Sequence, residues 1–450
     1  MPQRGDEPAP QELLRATWGL AWPVIFTFSI DSLVGLCDTL MVGRLGPTAV
    51  AAVGVGTQIL SAVDATLFAV GTGALAIVAR QVGAGETADA GETLVQSVLA
   101  AIALSALTVL PVVVWAPELI AAFRVEPAVV EAATPFLRLL MLGVPAGAVL
   151  FVLMSSLRGA GDTRTPLAIG AVVGVLNVVG AYGLIFGRLG LPRLGVPGAA
   201  IATVLAFLGG AVVGIGLLRR GGLVLKMGSS PLRVRPRIVG RVLRIGYPAA
   251  LEHLLMQLGF FVYIVFASRY GTAAVAAYFI GVRILALSFL PGFGFAAAAA
   301  TMVGQNLGAR RPGAAERSGW AAVALAMSLM TAAGVVIFAS ARPIARLFVD
   351  DPEVVADTVS FIRVLAAAQP LMAIDFTLGG ALRGAGDTRF PLWTVLLGFY
   401  VCRLGVASLV TFVLHLGLVW LWLALIGDYV ARSALKAVRF RSGTWKTVRI

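Results

Sequence analysis

Residues Leu157 to Arg164 read LRGAGDTR, and residues Leu382 to Arg389 read LRGAGDTR again. The second copy begins 225 residues after the first, half of the 450-residue length. The same offset aligns Pro23 with Pro248, Gly46 with Gly271, Ala51-Ala52 with Ala276-Ala277, and Gly83-Ala84 with Gly308-Ala309. Farther on it aligns Pro127 with Pro352, Phe136 with Phe361, Arg138 with Arg363 and Pro145 with Pro370. One register without gaps across most of each half makes the chain an internal duplication.

Composition says what is duplicated. Hydrophobic residues make up 59% of the chain and charged residues 13%, against roughly 25% charged in a soluble domain. That excess of apolar surface points to a polytopic membrane protein. Twelve apolar stretches reach the roughly 20 residues that a spanning helix needs: 17–42, 49–78, 92–115, 131–156, 166–189, 195–218, 242–268, 274–302, 317–340, 357–381, 391–413 and 416–438. Each half therefore carries six helices. Six is even, so both halves enter the membrane in the same direction, as parallel repeats. The expected fold is all-α: an N-lobe over 1–218 and a C-lobe over 245–450 around a central cavity, joined by a linker over 219–244.

The formal net charge is +13. In a soluble protein that would suggest nucleic acid; here it fits loops retained on the cytoplasmic side. The linker holds Arg219, Arg220, Lys226, Arg233, Arg235, Arg237, Arg241 and Arg244 without an acid, and the tail holds Arg439, Arg441, Lys446 and Arg449. Acids gather instead at Glu118 and Glu126, and at Asp350, Asp351 and Glu353. Both termini and the linker are therefore expected in the cytoplasm, with no cleavable leader before the first span. Cys37 and Cys402 lie in apolar runs, spaced for neither zinc nor a disulfide framework. His253 and His415 are too far apart in sequence to suggest a metal site. The expected partners are membrane lipids and small organic molecules, with no nucleic acid, and the expected state is a monomer.

In the repeated loops, Gly159, Gly161, Gly384 and Gly386 permit positive φ and close backbone approach. Asp162 and Asp387 can cap the following helix or pair with Arg158 or Arg383. The loops lack the Lys and Ser/Thr of a nucleotide-binding loop, and no strand precedes them. They read as tight turns between spans, and with no catalytic constellation elsewhere the chain reads as no enzyme.

Ionisable residues inside spans are costly and therefore candidates for function. The first half carries Asp31 and Asp38 in its first helix and Asp64 in its second, with no Lys or Arg evident deep in the lobe. The second half carries Glu252, Arg283, Asp375 and Arg403, which can neutralise one another. Asp31 and Asp38 are seven residues apart, almost two turns, so they share a helix face. In the repeat register Asp38 aligns with Tyr263, Glu252 with Thr27 and Asp64 with Phe289. The shared fold does not demand these acids. Met154, Met256, Phe260, Phe261 and Tyr263 are candidates for an apolar binding surface or for ordinary packing.

The doubled LRGAGDTR, CDTLMVGRLG at 37–46, GAAIAT at 198–203 and GQNLGA at 304–309 resemble the multidrug and toxic compound extrusion (MATE) transporters, and within them the DinF-like branch. The resemblance spans essentially the whole chain. It implies two six-helix lobes and export of amphipathic, often cationic, organic compounds in exchange for H⁺ or Na⁺ across the bacterial inner membrane, without a further cofactor. It also implies that Asp38 binds the coupling ion together with Asn177 and Thr203, with Asp31 a candidate relay. The chain departs from some relatives in having Ala181 where they carry a second acid, one turn after Asn177. That favours H⁺ over Na⁺. Asp375 lies three residues past the family's helix-ten acid, near Met372. Glu252 and Asp375 are candidate cavity charges or ion-pair partners of Arg283 and Arg403. The competing reading is a flippase or exporter of a dedicated lipid-linked or metabolic substrate. Such flippases carry extra spans and a cationic cavity; this chain has twelve spans and an acidic first half.

Overall fold

In hydrocarbon no water is available to pair backbone N–H and C=O groups, so each apolar stretch closes its own hydrogen bonds as a helix. The computed structural model describes residues 9–225, 233–448 and 450. Lys226 and Arg449, counted above among the basic loop residues, lie outside the described residues, as does the chain before residue 9. Among the described residues, twelve helices are long and apolar enough to span a membrane. They are α1 (Pro10–Gly43), α2 (Pro47–Ala84), α3 (Thr87–Val114), α4 (Pro127–Gly159), α5 (Arg164–Phe186), α6 (Val196–Arg219), α7 (Pro236–Ala267), α8 (Thr272–Gly308), α9 (Pro312–Ala339), α10 (Pro352–Gly384), α11 (Arg389–Val413) and α12 (Leu418–Arg441). No strand occurs among the described residues.

The 225-residue offset recurs in the element boundaries. α3 maps onto α9 and α4 onto α10 at both ends. Two short helices that the apolar windows did not reveal, Ala116–Ala121 and Ala341–Arg346, map onto each other as well. Several helices outrun their expected bounds: α1 begins at Pro10 instead of 17, and α7 at Pro236 instead of 242. At 34 residues, α1 is about 50 Å long, well beyond the ~30 Å hydrocarbon layer. Apolar windows register only the part of a helix that must shed water, so polar overhangs escape them. One consequence is that Glu252 lies midway along α7.

The chain divides into two compact units. One runs from Phe26 to Ala250; the other comprises residues up to Ile25 together with Leu251–Ile450. The division thus falls inside α1 and α7 and not at the 219–244 linker. The two crossover points, Ile25/Phe26 and Ala250/Leu251, are themselves 225 residues apart.

Within the first unit α4 packs on α2, α3 and α6, and α5 packs on α6. Within the second, α10 packs on α8, α9 and α12, and α11 on α12. The central helices are therefore α4 and α10, and the repeated motif ends each of them. The motif's first glycine allows the closest approach: a Cβ on Gly159 would stand 2.6 Å from the Leu75 carbonyl oxygen, and one on Gly384 2.1 Å from that of Ala300. Its second glycine turns the chain left-handed, with φ +90° at Gly161 and +87° at Gly386. The amides of Asp162 and Asp387 then donate to the carbonyls of Leu157 and Leu382, each at 2.9 Å. These bonds close the helix ends in the same way twice.

Candidate functional site

In the first unit, α1, α5 and α6 bring Asp38, Asn177 and Thr203 together. Asn177 is buried, while Asp38 and Thr203 are half-buried. With its nitrogen toward Asp38, the Asn177 amide donates to both carboxylate oxygens, at 3.0 and 3.2 Å, and its oxygen accepts from the Thr203 hydroxyl at 3.0 Å. Turned by 180°, the same amide donates to Thr203 Oγ1 at 3.0 Å, and that hydroxyl donates to the Ala199 carbonyl at 3.1 Å. One set of heavy-atom positions therefore supports two hydrogen patterns. An ionised carboxylate only accepts, so it takes the first; a protonated one has a hydrogen to donate to the amide oxygen in the second. Ala181, one turn beyond Asn177, is fully buried and adds no oxygen.

Asp31 and Asp64 are exposed. Asp31 is not joined to Asp38 directly, since seven helical residues separate them by about 10 Å along the axis. Its partner is Arg158, with which it interacts electrostatically. The Arg158 guanidinium is buried and stands 5.3 Å from the centre of the Phe28 ring, one turn before Asp31. The first half therefore does hold a deep cation. It escaped the sequence because Arg158 sits at the end of its span, in a motif that reads as a turn. Asp162 caps α5, accepting from the Thr165 amide at 2.9 Å.

The second unit pairs its charges differently from expectation. Glu252 receives both of its hydrogen bonds, at 3.1 and 3.2 Å, from Arg383 of the repeated motif. Asp375 pairs with Lys436 at 2.6 Å and with Arg432 at 3.4 Å. Arg403 pairs with Asp428 at 3.1 Å, and Asp428 pairs with Arg432 at 2.9 Å. Arg283 is exposed on α8 and belongs to none of these pairs. Asp387 neither caps its helix nor meets Arg383; it pairs with Arg439 at 2.9 Å.

Sequence reasoning missed Asp428, Arg432 and Lys436. The signal was present: three ionisable residues at four-residue spacing inside one span form a single charged stripe. Glu252, Asp375 and Asp428 face Arg383, Arg403, Arg432 and Lys436, which leaves an excess of one positive charge. Aromatic faces surround the excess. The Arg403 guanidinium lies 4.5 Å from the Phe399 ring centre and that of Arg432 4.6 Å from Tyr429, contacts that favour a desolvated cation. Of the apolar candidates, Phe260 lies 5.8 Å from the Arg403 guanidinium, and Met256 accepts from Arg432 at 3.8 Å. Both pack this charge cluster. In α11 the residues Leu396–Leu404 form π turns that carry Arg403. A Cβ on Gly398 there would come within 2.3 Å of the Arg432 side chain, so the glycine makes room for the stripe.

The MatE family profile matches twice, over residues 23–183 and 248–409, so each half matches from its in-helix proline onward. The chain belongs to the MATE family. It is a multi-pass membrane transporter and not an enzyme. It is similar to a Thermotoga maritima protein described as probable multidrug resistance protein NorM, at 31% identity, covering 95% of this chain and 92% of that one. It is also similar to multidrug resistance protein NorM of Burkholderia vietnamiensis, at 29% identity over 97% and 96% of the two chains. Among solved structures, an outward-facing conformation of a multidrug resistance MATE family transporter shares the fold, with a TM-score of 0.89 and 24% identity over 97% of each chain.

Proposed function

We propose that the chain is a secondary antiporter that exports amphipathic, cationic organic compounds in exchange for protons. The observation that carries the reading is the Asp38–Asn177–Thr203 group. With Asp38 ionised, the amide nitrogen, not its oxygen, faces the carboxylate. The positive end of the amide dipole then occupies the position that a sodium ion would need, and Ala181 offers no second carboxylate. A proton needs only one oxygen. On binding Asp38 it turns the amide, and the turn passes from α1 through α5 to Thr203 of α6. Protonation is thereby linked to the packing of three helices.

Exposed carboxylates within spanning helices, Asp31 and Asp64, favour a water-filled space over lipid, and their charge favours cations. The printed names of the similar NorM proteins support multidrug cargo. The proposed setting is the bacterial inner membrane, with both termini and the 219–244 linker cytoplasmic, and with the protein acting as a monomer among lipids. Beyond the exchanged ion no cofactor enters the reading.

The test uses proteoliposomes loaded with ethidium under an imposed pH gradient without Na⁺. The wild type should export, and Asp38→Asn should insert normally yet export nothing. Export that needs a Na⁺ gradient, with none driven by protons, would show the site to be a sodium site.

A further inference from the structure

In the first unit, α3, α4 and α6 leave a crevice of about 70 Å³ lined by apolar side chains. Leu94, Val95 and Val98 of α3, Leu153 of α4, and Ile215 and Leu218 of α6 form its walls. Val98 and Ile215 are half-buried, so one side is open. The crevice begins in the last turn of α6 and runs about 15 Å inward along α4. That is the depth of one leaflet's hydrocarbon, half of the ~30 Å layer.

The second unit fills the equivalent place with its own chain. α6 and α12 correspond at an offset of 222: both end on an arginine, Arg219 and Arg441, and a left-handed glycine follows, Gly221 at φ +76° and Gly443 at +69°. Leu218 therefore answers to Phe440. In the 225 register of α3 and α9, Leu94 answers to Gly319 and Val95 to Trp320. Phe440 is fully buried, and its ring takes the space over Gly319, where an added Cβ would stand 2.3 Å from it. Trp445, from the tail after α12, stacks on Phe440 at 4.5 Å, and Trp320 meets the Phe440 ring edge-on at 5.6 Å. Val323 and Leu378, the counterparts of Val98 and Leu153, belong to the same cluster. The first unit has Leu218 for Phe440, Val95 for Trp320 and Leu223 for Trp445. Its crevice is the volume that the missing rings leave.

The rim is basic. Arg219 and Arg220 are exposed at the end of α6, directly after Leu218. Arg441, the counterpart of Arg219, stands 5.5 Å from the ring centre of Trp320, the counterpart of Val95. The repeat thus places Arg219 at the mouth of the crevice. The linker returns past α3, where Gln96 donates to the Arg233 carbonyl at 2.9 Å and accepts from the Arg235 amide at 2.7 Å. Arg235 pairs with Glu92, which neutralises that acid. Glu86 and Asp89 lie farther out, at the start of α3. Such a rim repels a cationic cargo. Apolar walls beneath arginines suit a molecule with a long hydrocarbon chain and an anionic phosphate.

We propose that this crevice binds an anionic phospholipid: one acyl chain lies against α3, α4 and α6, and Arg219 and Arg220 hold the headgroup phosphate. A guanidinium presents a planar pair of donors to phosphate oxygens. The second unit needs no lipid there, because Phe440 and Trp445 occupy the place. The site uses none of Asp38, Asn177 or Thr203 and does not depend on the antiporter reading.

The test uses the full-length protein in nanodiscs of equal parts phosphatidylglycerol and phosphatidylcholine with identical chains. Ile102, exposed one turn beyond Val98 on α3, is replaced by the photoreactive p-benzoylphenylalanine. Illumination and intact-protein mass spectrometry should give the phosphatidylglycerol adduct at least about tenfold over the phosphatidylcholine adduct, as charge-assisted hydrogen bonds to phosphate require. Arg219→Gln with Arg220→Gln should bring the two adducts to parity. Arg441→Gln, in the second unit, should leave the preference unchanged. Leu94→Gly with Leu218→Phe transplants the second unit's ring and should also give parity. If that pair does not fold, Val98→Trp fills the crevice from its open side and should do the same. Equal adducts in the wild type would mark ordinary boundary lipid and overturn the proposal. A preference that survives loss of both arginines overturns it too. So does a cross-link to residues 226–232, which would make the linker the occupant, or to a second copy of the chain.

Discussion

Replacing Asp428 by Asn should unsettle the second unit more than any other single charge change. Asp428 is fully buried and stands 3.1 Å from Arg403 and 2.9 Å from Arg432. At an effective dielectric near 20, each contact is worth about 5 kcal/mol of Coulomb attraction. Much of that offsets the desolvation of three ions. The amide keeps the shape but removes the charge, so the excess of positive charge in the cluster rises from one to two. Breaking a buried pair in this way costs about 3–5 kcal/mol. For a unit of some 200 residues the melting temperature falls about 2–4 °C per kcal/mol, so a drop of roughly 6–20 °C is expected. The assay is thermal unfolding of the purified protein in nanodiscs. A double variant, Asp428→Leu with Arg403→Met, removes the acid and one cation together and should recover most of the loss, because well-packed apolar pairs replace buried ion pairs at little cost. The reasoning fails if Asp428→Asn melts within 2 °C of the wild type, or if the double variant is as unstable as the single one.

Further expectations rest on single contacts. Asn177→Ala removes the amide nitrogen that donates to both Asp38 oxygens and the link to Thr203, and should cut proton-driven ethidium export at least about tenfold, equivalent to roughly 1.4 kcal/mol, with insertion unchanged; export at the wild-type rate would refute the amide switch. Gly384→Ala should destabilise more than Gly159→Ala, since its added carbon meets backbone at 2.1 Å and not 2.6 Å; the two melting temperatures decide. Glu92→Gln breaks the pair with Arg235, whose side chain is 53% exposed, and should shift stability by less than about 1 kcal/mol.

How much of this was legible depends on what each residue answers to. The repeat, the twelve spans and the left-handed turns follow from rules that act locally: apolar length, backbone satisfaction and the absence of a Cβ. Asp38, Asn177 and Thr203 were named through a resemblance, and their meeting needs three helices to pack in one register, which no local pattern encodes. The ion pairs are hidden because the acids that stand out in the sequence, Glu252 and Asp375, do not pair with the bases that stand out, Arg283 and Arg403. The real partners sit where a sequence reading discounts charge, at a helix end for Arg158 and Arg383 and in the last span for Arg432 and Lys436.

Duplication explains why those positions differ in what they do. A gene that doubles doubles its backbone rules, so Gly159 and Gly384, Gly161 and Gly386, and the closing bonds of Asp162 and Asp387 keep one job in both halves. Charge is not bound by that symmetry, because a carboxylate can move by one turn and still meet the same arginine. Asp31 and Glu252 have done so. Asp38 aligns with Tyr263, whose hydroxyl donates to the Leu421 carbonyl inside an aromatic core. At the position where the first half keeps a half-buried carboxylate on an amide that can turn, the second half has a sealed phenol. The first unit thus retains a half-buried carboxylate on its amide, whereas the second pairs its buried acids with arginine and lysine. The repeated scaffold makes two units of one design; the departures from the repeat are what the proposed proton exchange at Asp38 rests on.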